Sequence, residues 1–366
     1  MNGKKSPELD YILATCLRSN PERFDSKVDW NEIIRLVEGN RITTHFLKDL
    51  PASVRKLKPV QKLETIHQRN AYASMWLVGE VIQVTQLANQ LKIPVYFYKG
   101  PVWSQWLYND YSFRSSGDLD LLVSEKHLFD LIDALLMNGY AVYSFHKALL
   151  ESPDSVRKSF IANDYHIPLQ KTDKDGKILS TLEVHWKIAY PRLCYHIHPD
   201  DFLKFSSSMA FSGVNLLTSI HELQLLMLLI NHGGKEGWNR LRYLFDLKAY
   251  MDRYGHSTDW DLVYKLAHEK SVKALVNKGL GILRGAGYKW SQDFPPVRAN
   301  NIDRLRTVWI QLEPQNENGS WHYFRNAWQS HDLRGKSELI VEHLKYFSQF
   351  GLHRYKLRWY RQRKTV

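Results

Sequence analysis

The sequence holds only two cysteines in 366 residues, Cys16 and Cys194, far apart along the chain. That excludes a disulfide framework and a four-thiolate zinc site. Long hydrophobic runs are missing too. The longest, LQLLMLLI at 223–230, falls far short of the roughly 20 residues a membrane-spanning helix needs. The opening MNGKKSPELDYILA has no signal-peptide hydrophobic region. A cytoplasmic soluble protein is the expectation. No internal repeat is evident. Hydrophobic residues at 44% and charged residues at 24% are ordinary globular composition, which excludes general low-complexity disorder.

Acidic charge is in relative deficit. Fifty Lys and Arg against 38 Asp and Glu give a formal charge of +12. Such a balance fits nucleic acid, an anionic membrane surface or phosphorylated ligands as partners. Part of the excess is local, in the tail HRYKLRWYRQRKTV at 353–366. That tail reads as a solvated helix end or as a weak membrane- or phosphate-surface contact. No RNA-binding motif accompanies the charge. Aromatics at 13%, with 12 Trp and 20 Tyr, fill cores without choosing a ligand.

The length predicts two or three structural units. Helical spacing runs over 8–19 and 29–48, with SNPERFD (19–25) as a break. A long amphipathic helix is expected over 60–92, ended by Pro94. Val95 to Tyr98 reads as a strand, and PVWSQWLY after Gly100 as a short helix with proline in its first turn. DLDLLV (118–123) is a second strand. A helix follows, capped by Ser124 and closed by Gly139. HIPLQ and ILSTLEVHWKI flank the Asp-Gly turn of KTDKDGK, a hairpin signal. From 201 onward the pattern is mostly helical. The expected fold class is α+β: a helical N-terminal region (1–75), a small mixed-sheet core (76–200) and a helical C-terminal region with the basic tail (201–366).

The stretch RSSGDLDLLV is chemically unusual, because two carboxylates begin an apolar strand. Strand side chains alternate, so Asp118 and Asp120 share one face while Leu119 and Leu121 share the other. Ionised neighbours repel unless a cation lies between them. Magnesium, held by one or two carboxylates plus substrate phosphates, suits that face, and manganese is the alternative. In STLEVHWKI, Glu183 and His185 share a face opposite Leu182, Val184 and Trp186. A strand beside DLDLLV brings Glu183 to the aspartates, and three carboxylates around metal can clamp a triphosphate and activate a hydroxyl. His185 reads as an orienting neighbour. Gly100 lets backbone approach a phosphate, Lys99 and Arg114 offer cations, and Ser116 and Gly117 shape the loop. Lys235 and Arg240 are candidates to face phosphates across the cleft. Arg242 and Asp246 have helical pair spacing. His221 with His232 is a weak candidate metal pair. His196 and His198 share a face but lack a third ligand, and their Pro-Asp sequel reads better as a helix start.

These segments together, PVYFYKG, FRSSGDLDLLV, LEVHW and NHGGKEGWNRLRYLFDLKAY, resemble the uncharacterised nucleotidyltransferase family of bacterial biosynthetic and polysaccharide gene clusters. The resemblance spans about residues 60–270. It implies a DNA polymerase β-like nucleotidyltransferase fold. The family pattern maps onto Lys99 and Gly100, then Arg114, Asp118 and Asp120, then Glu183, His185 and Trp186. In the helical region it maps onto His232, Arg240, Arg242 and Asp246. One departure is plain: the broader superfamily follows its glycine with Ser or Gly and places the aspartates sooner, whereas Gly100 precedes Pro101.

The implied activity is metal-dependent transfer of a nucleoside monophosphate from a nucleoside triphosphate, such as ATP, to a hydroxyl-bearing acceptor: a sugar, small metabolite, peptide or protein. Asp118, Asp120 and Glu183 would be the metal and catalytic set. Lys99, Gly100, Arg114, Ser116, Gly117, His232, Arg240 and Arg242 would bind the nucleotide. Two rivals stay open. One is a glycosyltransferase using the DxD motif with manganese and a nucleotide sugar, which calls for several βα units before the motif. The other is a non-catalytic nucleotide-binding or scaffolding module.

Overall fold

The computed structural model describes residues 6–17, 28–289 and 320–363. The expected break at 19–25 and the side chains of the basic tail lie outside the described residues. Four helices come first: α1 (Pro7–Cys16), α2 (Trp30–Gly39), α3 (Thr43–Lys48) and α4 (Ala52–Arg55). The long helix is α5 (Lys58–Gln90), which delivers the chain to β1 (Val95–Tyr98). Next come α6 (Gly100–Tyr108), β2 (Leu119–Val123), α7 (Leu128–Met137), β3 (Tyr140–Val142), α8 (Ser144–Leu150) and α9 (Asp154–Asn163). The hairpin β4 (His166–Thr172) and β5 (Ile178–His185) turns at Gly176, whose φ of 80° suits glycine.

The five strands form one mixed sheet in the order β1-β2-β5-β4-β3. β2 and β5 run parallel, and the other pairs are antiparallel. The class is α+β, as expected. The sheet's two faces are chemically different. Val95, Phe97, Leu119, Leu121, Leu182 and Val184 enter one buried core with Leu77, Val81 and Val84 of α5 and Leu131 of α7. Each such apolar side chain contributes about 1.5–3 kcal/mol when fully buried. Glu80 of α5 is buried against the same layer, accepting from the Tyr140 hydroxyl and pairing with Lys171 at 3.2 Å.

The other face turns Tyr96, Tyr98 and Leu122 toward a second, larger core. That core joins α1–α3 to the helices from residue 199 onward: α10 (Pro199–Lys204), α11 (His221–Leu229), α12 (Leu241–Tyr254), α13 (Trp260–Glu269) and α14 (Lys273–Gly285). Asn40, at the end of α2, accepts from the Leu241 amide at 2.9 Å and so ties the first helices to α12. α15 (Ser320–Ser330) and α16 (Leu333–Arg363) complete the described chain.

Several details differ from expectation. A second sheet, β6 (Ser206–Phe211) with β7 (Val214–Ser219), interrupts the helical C-terminal region. Its turn residues Ser212 and Gly213 both have positive φ, 43° and 88°. β3, α8 and α9 fill the stretch between the helix closed by Gly139 and the hairpin. Ser124 makes no side-chain cap, since a short 3₁₀ turn (Glu125–His127) precedes α7. No helix among the described residues is long and apolar enough to cross a membrane.

Candidate functional site

The parallel pairing of β2 with β5 sets the site. Its register places Asp120 beside Glu183 and Leu122 beside His185. β1 adds Tyr98 opposite Asp120, and β4 adds His166 opposite His185. Tyr98, Asp120, Glu183, His185 and His166 thus share the sheet face that looks toward the helical half.

The side chains converge. His185 is fully buried, and its Nε2 lies 3.1 Å from Asp120 Oδ1 and 3.1 Å from Glu183 Oε2. Lys99 Nζ donates to Asp120 Oδ1 at 2.7 Å. His166 stacks on His185 with ring centroids 5.1 Å apart. Asp120 is almost fully buried, whereas the Glu183 side chain stays 26% exposed and so faces the opening.

Electrostatics divides the three carboxylates. Burial works to raise Asp120, but the Lys99 charge and the His185 hydrogen bond outweigh it and hold the carboxyl well below the usual range. Burial also works upward on Glu183, and the hydrogen bond from His185 leads the effects that lower it. Asp118 is raised, by its own burial and then by the charge of Asp120. Burial works to lower Lys99, and Asp120 and Glu183 reverse this, so the lysine is raised and stays charged. Burial and then His185 push His166 down to about 3, which keeps it neutral.

Asp120, Glu183 and His185 form the one group among the described residues whose ligand atoms lie close enough to hold a metal ion, all within 4.8 Å of one another. Two carboxylate oxygens and an imidazole nitrogen form a fitting donor set for a divalent cation. Asp118 is outside this compact group because it sits in the bend before β2 begins at Leu119. Its charge nonetheless acts on Lys99 and Tyr98.

The turn between β1 and α6 carries strain. Lys99 has φ 62° and ψ −158°, a region otherwise nearly restricted to glycine and costing about 1–3 kcal/mol. Gly100 has φ +49°, and a Cβ there would lie 3.4 Å from the Asp118 carbonyl and 3.5 Å from Ser116 Oγ. Ser116 Oγ in turn donates to the Asp118 carbonyl at 2.9 Å. Lys99, Gly100, Ser116 and Asp118 therefore form one closely fitted mouth, with Gly117 exposed at its rim.

The remaining candidates lie deeper. The Arg114 side chain is 1% exposed, and its Nε donates to Asp246 Oδ2 at 2.8 Å. His232 Nε2 meets the same oxygen at 2.9 Å, and the Tyr108 hydroxyl donates to Asp246 Oδ1 at 2.8 Å. Arg114 and His232 thus brace the loop before the aspartates instead of lining its mouth. Arg242 sends NH1 to the Ser115 carbonyl at 3.1 Å, not to Asp246, so the pair expected from helical spacing is replaced by a bridge onto that loop. Arg240 sits at the start of α12, half-buried, its Nε unpartnered among the described residues.

His221 stacks on Tyr254 at 4.0 Å and accepts from Trp106, in a different environment from His232. His196 pairs with Glu338 at 2.9 Å, and His198 caps α10, the helix start expected from Pro199. Sequence reasoning missed His166. Its signal was the hairpin turn, which fixes the β4–β5 register and so brings His166 to His185.

A model of the uncharacterised nucleotidyltransferase family matches residues 26–285. The chain belongs to that family. Searches of curated proteins and of solved structures returned no match.

Proposed function

We propose, from that family membership, that the protein is a metal-dependent nucleotidyltransferase, moving a nucleoside monophosphate from a nucleoside triphosphate to a hydroxyl-bearing acceptor. The observation that carries this reading is the parallel β2–β5 register, which gathers Asp120, Glu183 and His185 on one buried face. Asp120 and Glu183, with His185 and the adjoining Asp118, would hold the metal. Magnesium or manganese there supplies charge neutralisation and orientation for the triphosphate.

The chain's own groups do the rest. Asp120 and Glu183 are ionised at neutral pH, so both are ready to accept a cation. Glu183, the more open of the two, takes the proton of the acceptor hydroxyl. The acceptor oxygen bonds to the α-phosphorus, the bond to the bridging oxygen breaks, and pyrophosphate leaves with the electron pair. Lys99 stays charged and meets phosphate oxygens beside Gly100 and Ser116. Arg114, His232 and Arg242 act on the nucleotide by fixing the loop that carries Ser116 to Asp118.

The test is titration calorimetry with ATP, GTP, CTP and UTP, with and without magnesium, on the wild type and Asp118→Asn/Asp120→Asn. The proposal expects magnesium-dependent binding of at least one nucleotide, lost in the double variant. Equal binding by the double variant would remove the carboxylate face from the account. Failure of all four on the wild type would turn attention to a panel of nucleotide sugars.

A further inference from the structure

The turn between α11 and α12 departs from α-helical geometry. Ile230–Lys235 is a π-helical segment, a geometry that recurs at functional sites. It is locked from several sides. A Cβ on Gly233 would lie 2.4 Å from Trp238 Nε1, and one on Gly234 would lie 2.5 Å from the Tyr195 hydroxyl. Asn326 of α15 donates to the Lys235 carbonyl at 2.9 Å. The segment is therefore closely packed, and its last residue is held by that packing.

Lys235 is 6% exposed, and a buried ammonium is costly without a counter-charge. Among the described residues no carboxylate lies within ion-pair distance of it. Its hydrogen bond to the Ile188 carbonyl is long, 3.4 Å, and leaves donors unfilled. Nζ sits 4.9 Å from the Tyr165 ring centroid. Burial, then the charge of Lys99, lowers it to about 8, with Glu236 first and then Asp120 and Glu183 pulling the other way. The Tyr165 ring under Nζ lies 5.5 Å from the His185 ring, which sets Lys235 beside the carboxylate face, within reach of the Lys99 charge. Each lysine is unfavourable to the other until a polyanion enters between them.

We propose that Lys235 binds the β- and γ-phosphates of the nucleoside triphosphate from the helical wall of the cleft, and the pyrophosphate after transfer. This rests on the nucleotidyltransferase reading above. As the bond from the α-phosphorus to its bridging oxygen breaks, negative charge grows on the departing pyrophosphate. Lys235 keeps its proton and meets that charge with hydrogen bonds. The acceptor's proton goes to Glu183, so nothing further is required of the lysine.

Inorganic pyrophosphate is a probe independent of base and acceptor. Its magnesium-dependent affinity, and those of the four nucleoside triphosphates and their monophosphates, are measured by calorimetry on the wild type, Lys235→Met and Lys235→Arg, with thermal melts alongside. Lys235→Met is expected to weaken pyrophosphate and triphosphate binding by about tenfold or more, since a charge-assisted hydrogen bond is lost. Monophosphate affinity should hold within about twofold. The Met variant should melt no lower than the wild type, because an uncompensated buried charge has gone. Lys235→Arg should recover part of the loss. The proposal is overturned if Lys235→Met binds pyrophosphate like the wild type. It is also overturned if triphosphate and monophosphate weaken alike while the melting temperature falls, since that marks a purely structural lysine. Should the Met variant not fold, Lys235→Gln is read against the same two outcomes. A wild type that binds neither pyrophosphate nor any triphosphate overturns the nucleotidyltransferase reading itself, which separates that failure from the failure of Lys235 alone.

Discussion

Asp246→Asn should destabilise the protein severely and loosen the loop from Ser115 to Asp118. Asp246 is fully buried and receives three groups: Arg114 Nε at 2.8 Å, His232 Nε2 at 2.9 Å and the Tyr108 hydroxyl at 2.8 Å. Burial works to raise its carboxyl, but Arg114, then His232, hold it far below the ordinary carboxylate range. Asparagine keeps the shape and an acceptor but leaves the Arg114 charge buried and unpaired. Breaking a buried pair from one side costs about 3–5 kcal/mol. At about 2–4 °C per kcal/mol, that is a fall of roughly 6–20 °C in melting temperature. The sign with pH follows from the depressed carboxyl. Its stabilisation is complete above the unfolded value near 3.9 and disappears as pH falls through the folded value. Thermal and urea denaturation of the wild type, Asp246→Asn and the neutral pair Arg114→Met/Asp246→Leu measure this. The double variant should lose less than the single one, since no charge is stranded. A single variant within about 1 kcal/mol of the wild type would refute the reasoning.

Further outcomes can be checked in the same assays. Gly100→Ala should cost about 1–2 kcal/mol, because φ +49° disfavours a side chain, and should weaken nucleotide binding by displacing Ser116 and Asp118. Unchanged affinity and melting would contradict the fitted mouth. Gly233→Ala should cost about 1–3 kcal/mol by overpacking Trp238 and Leu275, read as a lowered urea midpoint; an unchanged midpoint would contradict the packed turn. Burial lowers His45 and His166 to about 3 and His146 and His232 to about 4. Each is neutral when folded and binds a proton more readily when unfolded. Unfolding free energy should therefore fall as pH drops from about 6.5 toward 4, by up to roughly 1.4 kcal/mol per pH unit for each histidine. A flat profile over that range would contradict their buried, neutral state.

Much of the sheet was legible because its strands carry opposite chemistry on opposite faces. Leu182, Val184 and Trp186 mark the buried side of β5, so Glu183 and His185 had to face the other way. The Asp-Gly turn announced the hairpin, and Pro94 the end of the long helix. What could not be read was tertiary. Arg114 looks like a phosphate ligand from its place before the aspartates, yet its partner Asp246 lies 132 positions away, in α12. His232 turns inward to the same carboxylate. The β6–β7 hairpin was hidden because its serine-rich strands lack a strong apolar alternation, and only Phe211, Leu216 and Ser219 are buried. The first helices and those after 201 share one core, a join that local periodicity does not reveal. The strain at Lys99 likewise has no local signal in the sequence.

Manganese binding is a direct spectroscopic probe of the carboxylate face. Free Mn²⁺ is followed by electron paramagnetic resonance while the wild type, Asp118→Asn/Asp120→Asn and Glu183→Gln are titrated in, with and without the nucleoside triphosphate that binds best. The wild type should remove free Mn²⁺, more strongly with nucleotide present, and both variants should lose most of that effect while melting cooperatively. A wild type that leaves the Mn²⁺ signal unchanged under both conditions would contradict the proposed metal site, as would variants that bind the metal as tightly as the wild type.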